Sequence, residues 1–114
     1  TMTSTERMYA LYQAVRYVGR AALPGDFVEC GVWKGGSAMV AALTFLELGD
    51  AGRHFWLYDT YEGMSEPTAR DVSIHDQAPL ADWDRIRSDK GRVFCANALT
   101  DATRSVGSTG YPQD

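Results

Sequence analysis

Met8, Leu11, Val15, Val18 and Ala22 recur every three to four residues, the period of a helix with one apolar face. Thr3-Ser4-Thr5-Glu6 before them has the form of a capping box, with Thr3 as N-cap and Glu6 three residues on. Arg7, Arg16 and Arg20 fall elsewhere on the surface, and Pro24-Gly25 is expected to end the helix and turn the chain. Gly19 costs about 1 kcal/mol in a helix interior. The period then changes. Residues 26–32 open on Asp26 and are then almost continuously apolar, with Glu29 the one acid inside the run, which predicts a parallel strand covered on both faces. Ser37 to Leu48 is apolar nearly all round, which predicts a deeply buried or partner-facing helix with Gly49 as its C-cap. His54 to Asp59 is aromatic and apolar, a second strand ending in an acid. A helix between two buried strands is a βαβ unit, so an α/β fold with parallel strands is expected.

From Thr60 to about Asp82 the chain is irregular and acidic, interrupted by Pro67 and Pro79. A loop this long inside a compact domain is usually functional, such as a lid. Trp83 to about Asp89 reads as a short helix stopped at Gly91, and Val93-Phe94-Cys95 as a short apolar run. Leu99, Ala102 and Val106 predict one more amphipathic helix, from about Asn97 to Gly107, before the turn-like Ser108-Thr109-Gly110-Tyr111-Pro112.

The 114 residues make one small domain, with the 45% hydrophobic and 23% charged residues of a soluble globular protein. A net charge of −4, with acids and bases scattered, argues against nucleic acid or an anionic membrane held by a bulk basic field. No apolar run reaches the roughly 20 residues that span a bilayer, and the N-terminus lacks a signal pattern. Cys30 and Cys95 read as reduced thiols of a cytoplasmic protein, with no metal-ligand spacing around them. The chain opens on Thr1 rather than methionine, so a piece of a longer chain is expected.

The chemistry gathers between the two strands, at Glu29-Cys30-Gly31-Val32-Trp33-Lys34-Gly35-Gly36-Ser37. Strand, glycine turn and helix start in that order form a cradle for a nucleotide-like ligand. A dinucleotide fingerprint requires Gly-x-Gly-x-x-Gly, and here Val32 and Trp33 stand where the tight turn needs glycine. A phosphate loop ends in Gly-Lys-Ser/Thr, whereas Lys34 precedes the glycines. What remains, acid-x-Gly-x-x-x-Gly-x-Ser, suits S-adenosylmethionine (SAM), which has no pyrophosphate to cradle. Glu29 is placed to compensate its ammonium, and the N–H groups near Gly35 to Ser37 its carboxylate. Asp59, ending the next strand, is placed to grip the ribose diol.

These segments, with Thr1-Met2, Arg7-Met8, Pro24 to Gly36 and Tyr58-Asp59-Thr60-Tyr61-Glu62-Gly63-Met64, resemble the macrocin O-methyltransferase family. The resemblance runs the whole length, and its Gly-Val-Trp-x-Gly-Gly run is highly specific; Ser108 to Pro112 is similar to the segment before the family's third strand. It implies a partial Rossmann-like class I methyltransferase fold: an N-terminal helix, the first βαβ unit and following helices. It implies methylation of a sugar hydroxyl on a glycosylated small molecule of secondary metabolism, in antibiotic biosynthesis. It carries over Glu29, Cys30, Gly31, Val32 and Trp33, and Asp59, Thr60, Tyr61, Glu62 and Gly63, as lining of the SAM site, beside Gly35, Gly36 and Ser37. It also implies Mg2+, held by aspartates of the C-terminal half, beyond residue 114, and a lid histidine as base, for which this chain offers His75. The 114 residues then form an incomplete SAM-binding domain with a lid-like loop at about 60–82.

Each of these residues has a plainer role beside the chemical one. Glu29 caps a strand end or pairs with Arg20, Asp59 forms a turn, Trp33 packs, Tyr61 and Met64 pack or meet the adenine, His75 is a solvated loop histidine, His54 is structural and Cys30 fills the core. Two other functions stand beside the enzyme: an inactive α/β interaction fragment that pairs through the helix at 37–48, and a nucleotide-dependent oxidoreductase. A short sheet with an open edge is also expected to leave the chain, alone, poorly soluble or oligomeric.

Overall fold

A computed structural model describes residues 3–68, 70–71 and 97–112. The element order is α1 (Thr5–Arg20), β1 (Phe27–Cys30), α2 (Gly36–Glu47), β2 (Phe55–Tyr58) and α3 (Leu99–Gly107). β1 and β2 pair in parallel, with Phe27 opposite Phe55 and Cys30 opposite Tyr58, so the expected βαβ unit is present. The expected short helix near Trp83, the run Val93-Phe94-Cys95, and His75 lie outside the described residues.

Both ends of α1 differ from expectation. Its N-cap is Ser4 rather than Thr3: Ser4 is extended, and its hydroxyl accepts the Arg7 N–H at 3.4 Å. Its C-terminus comes before Pro24-Gly25. Ala22 takes a left-handed conformation (φ 50°), and the N–H groups of Ala22 and Leu23 return to the carbonyls of Gly19 and Val18. Ala22 thus closes the helix instead of extending its apolar stripe. Gly19 marks the closest approach of α1 to the end of α2. A Cβ there would come within 2.6 Å of Leu48 Cδ1.

α2 is shifted one residue from the expected span and ends as expected at glycine. Gly49 is left-handed (φ 72°), its N–H bonds Leu46 O, and the Asp50 N–H bonds Phe45 O. The small side chains Ala38, Ala41 and Ala42 are fully buried, which lets α1 and α3 pack closely on this helix. Leu43, by contrast, is exposed, so α2 is not buried all round.

The core lies between α1, α2 and one face of the sheet, where Val15, Ala41, Ala42, Phe45 and Tyr111 are buried. Phe55 is its centre, with ring centroids 4.8 Å from both Phe27 and Tyr111, and with Phe45 edge-on at 6.2 Å. The other face of the sheet is bare among the described residues. Val28, Trp56 and Tyr58 are 59%, 49% and 59% exposed, and Cys30 is exposed beside them. Burial of β1 on both faces is therefore not found, and Cys30 is not core filler. Period-two alternation turns Cys30 and Val28 to the side that none of the three helices covers.

Two polar rivets tie the loops to this core. Arg53 stacks on Phe45 at 4.8 Å, bonds Asp50, and donates to the carbonyls of Gly25 and Leu23 at 2.8 Å each. Tyr111 Oη accepts the Arg53 N–H at 3.1 Å and donates to Arg53 O at 3.0 Å. Tyr111→Phe keeps the ring and strips a partly buried peptide of both bonds. It is expected to lower stability by about 1–2 kcal/mol in denaturant titration.

Candidate functional site

β1 and β2 run side by side, so the loops that leave their C-terminal ends meet. The first loop, Gly31 to Gly35, has Gly31 and Gly35 left-handed, and Trp33 as well (φ 49°). Gly35 packs against α3. A Cβ on it would sit 3.3 Å from Val106 Cγ2 in a backbone already at φ 76°. In the second loop Tyr61 is left-handed (φ 56°), followed by Gly63 (φ 97°). Two non-glycine residues in this region cost on the order of 1 kcal/mol each.

Asp59 joins the two loops. Its Oδ2 accepts the N–H groups of Val32 at 2.7 Å and Trp33 at 2.9 Å, and its Oδ1 accepts the Tyr61 N–H at 3.0 Å. The Trp33 and Tyr61 amides hold its carboxyl below the usual aspartate range, since each favours the charged form. Thr60 Oγ1 donates to Gly63 O at 2.9 Å, and the Tyr61 hydroxyl turns back to Leu57 O at 2.9 Å. Asn97, just before α3, donates to Trp33 O at 2.9 Å. Trp33 is thus held by its N–H from β2 and by its carbonyl from α3. Nothing in sequence spacing marked Asn97, because 64 residues separate it from its partner.

Glu29 lies on the covered face of β1 and points toward the start of α2. Burial pushes its carboxyl above the usual glutamate range; the Ser37 hydroxyl and the Ala38 N–H pull the other way, and the nearby Asp59 charge adds to the rise. Its Oε2 is buried with no hydrogen-bond partner among the described residues. Arg20, the alternative expected partner, is not among the groups that act on it. The two acids therefore stand at the C-terminal ends of neighbouring strands, as the sequence implied, in unlike states: both oxygens of Asp59 accept backbone amides and Glu29 has an idle oxygen. Tyr61 senses both, its hydroxyl raised by burial and by the charges of Asp59 and Glu29.

The amides beyond the loop are less available than expected, because the Gly35 N–H closes the turn onto Val32 O at 2.9 Å. A hollow of about 780 Å³ borders the loop on its outer side, lined by Lys34, Tyr61, Glu62, Asn97, Asp101 and Arg104. The Lys34 ammonium lies over the Trp33 ring at 5.0 Å. Of the expected cofactor-lining residues, Glu29 to Trp33, Gly35 and Asp59 to Gly63 lie in or beside these two loops, with Gly36 and Ser37 in the first turn of α2. Cys30 is the exception, since its side chain leaves on the bare face. Among the described residues, no three His, Cys, Asp or Glu side chains gather to hold a metal ion, and no helix is long and apolar enough to cross a membrane.

The fold is one already seen in an O-methyltransferase. The solved structure of the O-methyltransferase NovP superposes on 100% of this chain and 44% of its own, with a TM-score of 0.71 at 24% identity. The family model for macrocin-O-methyltransferase (TylF) matches residues 1–92, and the chain belongs to that family. It is 35% identical over 82 residues to 8-demethyl-8-(2,3-dimethoxy-alpha-L-rhamnosyl)-tetracenomycin-C 4'-O-methyltransferase of Streptomyces olivaceus, covering 67% of this chain and 31% of that protein. It is 31% identical over 107 residues to mycinamicin III 3''-O-methyltransferase of Micromonospora griseorubida, covering 89% of this chain and 42% of that protein. The chain thus spans less than half the length of these relatives.

A raised Glu29 carboxyl has a stability consequence of fixed sign. A carboxyl raised in the fold binds its proton more tightly there than in the unfolded chain, so its contribution falls as pH rises through the folded value. Glu29→Gln removes the buried charge. It is expected to raise the melting temperature of the ligand-free protein at pH 7, and the gain is expected to vanish below the glutamate range.

Proposed function

We propose that this chain forms the cofactor-binding part of a SAM-dependent O-methyltransferase that methylates a sugar hydroxyl of a glycosylated secondary metabolite. The observation that carries this reading is the buried, unpartnered Oε2 of Glu29 beside a glycine loop already closed by Asp59. A buried carboxylate with an idle oxygen suits a ligand that brings a cation, and SAM brings an ammonium. The activity of the relatives supports the acceptor class: one is a 4'-O-methyltransferase of a rhamnosyl tetracenomycin, the other a 3''-O-methyltransferase of mycinamicin III.

When bound, SAM supplies a methyl group already activated on a sulfonium, so the protein's work is alignment and exclusion of water. Glu29 would take the ammonium, and the left-handed turns at Gly31 and Gly35 let the backbone approach the ligand. The Thr60 to Gly63 turn, fixed by Asp59 and by the Thr60 bond to Gly63, would flank the nucleoside. Mg2+ belongs to the reading only through the family. The described residues offer no ligand set for it, and no step is routed through it. The exposed free thiol of Cys30 favours a reducing compartment, the cytoplasm.

The inactive-fragment alternative was to pair through the helix at 37–48, which packs instead on α1 and α3 with Ala38, Ala41, Ala42, Thr44 and Phe45 buried; the surface left to it among the described residues is the bare face of Val28, Trp56 and Tyr58. Through it the 114 residues expressed alone are expected to self-associate, and size-exclusion chromatography with light scattering reads this directly. A monomer that melts cooperatively would contradict it. The family match leaves the oxidoreductase alternative without support.

Equilibrium binding of labelled SAM to the intact protein tests the main reading. Glu29→Gln is expected to weaken binding at least roughly tenfold, the scale of one charged hydrogen bond. Equal affinity in the two proteins removes Glu29 from the site and the reading with it.

A further inference from the structure

Asp59 is largely engaged before any ligand arrives. A carboxylate offers about four acceptor positions. Three are taken by the N–H groups of Val32, Trp33 and Tyr61 at 2.7, 2.9 and 3.0 Å, which leaves one, on Oδ1, since the Thr60 hydroxyl gives its single proton to Gly63 O. A ribose diol held bidentately needs two acceptors of its own. To supply both, Asp59 would release at least one partly buried backbone amide of Val32, Trp33 or Tyr61, and with it a bond that joins the two loops.

We infer that Asp59 is a positioning residue of the cofactor site, a clamp that pins the Val32–Trp33 bend to the Thr60–Gly63 turn, and that it does not grip the sugar diol. It acts on the ligand through the shape it gives the two loops. Asn97 completes the clamp from the opposite side through Trp33 O. This inference rests on the SAM reading for the identity of the ligand and on the hydrogen bonds alone for the clamp.

The two parts separate experimentally in the intact protein. Amide hydrogen exchange of ligand-free wild type and Asp59→Asn reads the clamp without any ligand. The Val32, Trp33 and Tyr61 amides are expected to be protected in the wild type and to exchange at least roughly tenfold faster in the variant, where an amide N–H replaces one acceptor. The Phe45 amide in α2 is expected to stay unchanged. Binding of S-adenosylhomocysteine and of its 2′,3′-dideoxy analogue then reads the role. A clamp predicts that Asp59→Asn weakens both ligands by the same factor. A penalty that falls on the diol-bearing ligand and vanishes with the dideoxy analogue overturns the inference, as do unchanged exchange and unchanged affinity. If the variant does not fold, the wild-type protein still decides: the carbon-13 resonance of the Asp59 carboxylate is expected to stay in place on titration with S-adenosylhomocysteine, and a large shift overturns the clamp. If neither nucleoside binds the wild type, the SAM reading fails and exchange alone judges the clamp.

Discussion

Among the described residues, four residues per strand and one pair of strands give little regular structure from which to hang a binding site. The constraint that makes a site of the strand ends is the Asp59 carboxylate, which accepts two amides from the loop 26 to 27 residues before it and one from its own turn. Accepting backbone N–H groups is favourable for an ionised carboxylate, and each such bond favours the charged form. The same bonds offset the left-handed backbone of Trp33 and Tyr61. Geometry that would otherwise be strained is thereby held ready. The sign of the linkage follows: a carboxyl lowered in the fold stabilises it above the unfolded aspartate range and loses that contribution as pH falls through the folded value.

Glu29 is the counterpart. Where Asp59 lowers the free energy of the empty protein, Glu29 raises it, because burial disfavours its charge and one oxygen finds no partner. A fold keeps such a group when something outside the chain compensates it. The two acids thus differ in kind: one is engaged by the loops, and the other has an oxygen left over. Their closeness matters as well, because the fixed charge of Asp59 helps to raise Glu29.

The βαβ unit was legible because its signals are local. Strand-type runs at Phe27 and Phe55, an apolar helix between them and Gly49 at its end each report on a few neighbours, and each element lies where its pattern put it. The helix end at Ala22 was not legible, since alanine is the best helix former and its left-handed turn depends on how α1 meets the loop before β1. The exposure of Cys30 was misjudged for a related reason: an apolar run does not say whether both faces of a strand are covered. At the site, Glu29 and Asp59 were visible as acids on adjacent strands, and the glycine spacing departs from the dinucleotide and phosphate-loop patterns. The use of Asp59 for backbone amides and of Asn97 for Trp33 O was invisible, because both depend on two loops meeting in space. Membership of the macrocin-O-methyltransferase family then places these residues in a protein whose relatives are more than twice the length of the matched part.

A crystal structure of the intact protein with S-adenosylhomocysteine bound tests the central claim most directly. The account predicts the ligand's amino group on Glu29 Oε2, with the Asp59 carboxylate still on the Val32 and Trp33 amides. A ligand whose ammonium is held elsewhere while Glu29 stays buried and alone, or an Asp59 swung from the loop amides onto the ribose, would contradict it.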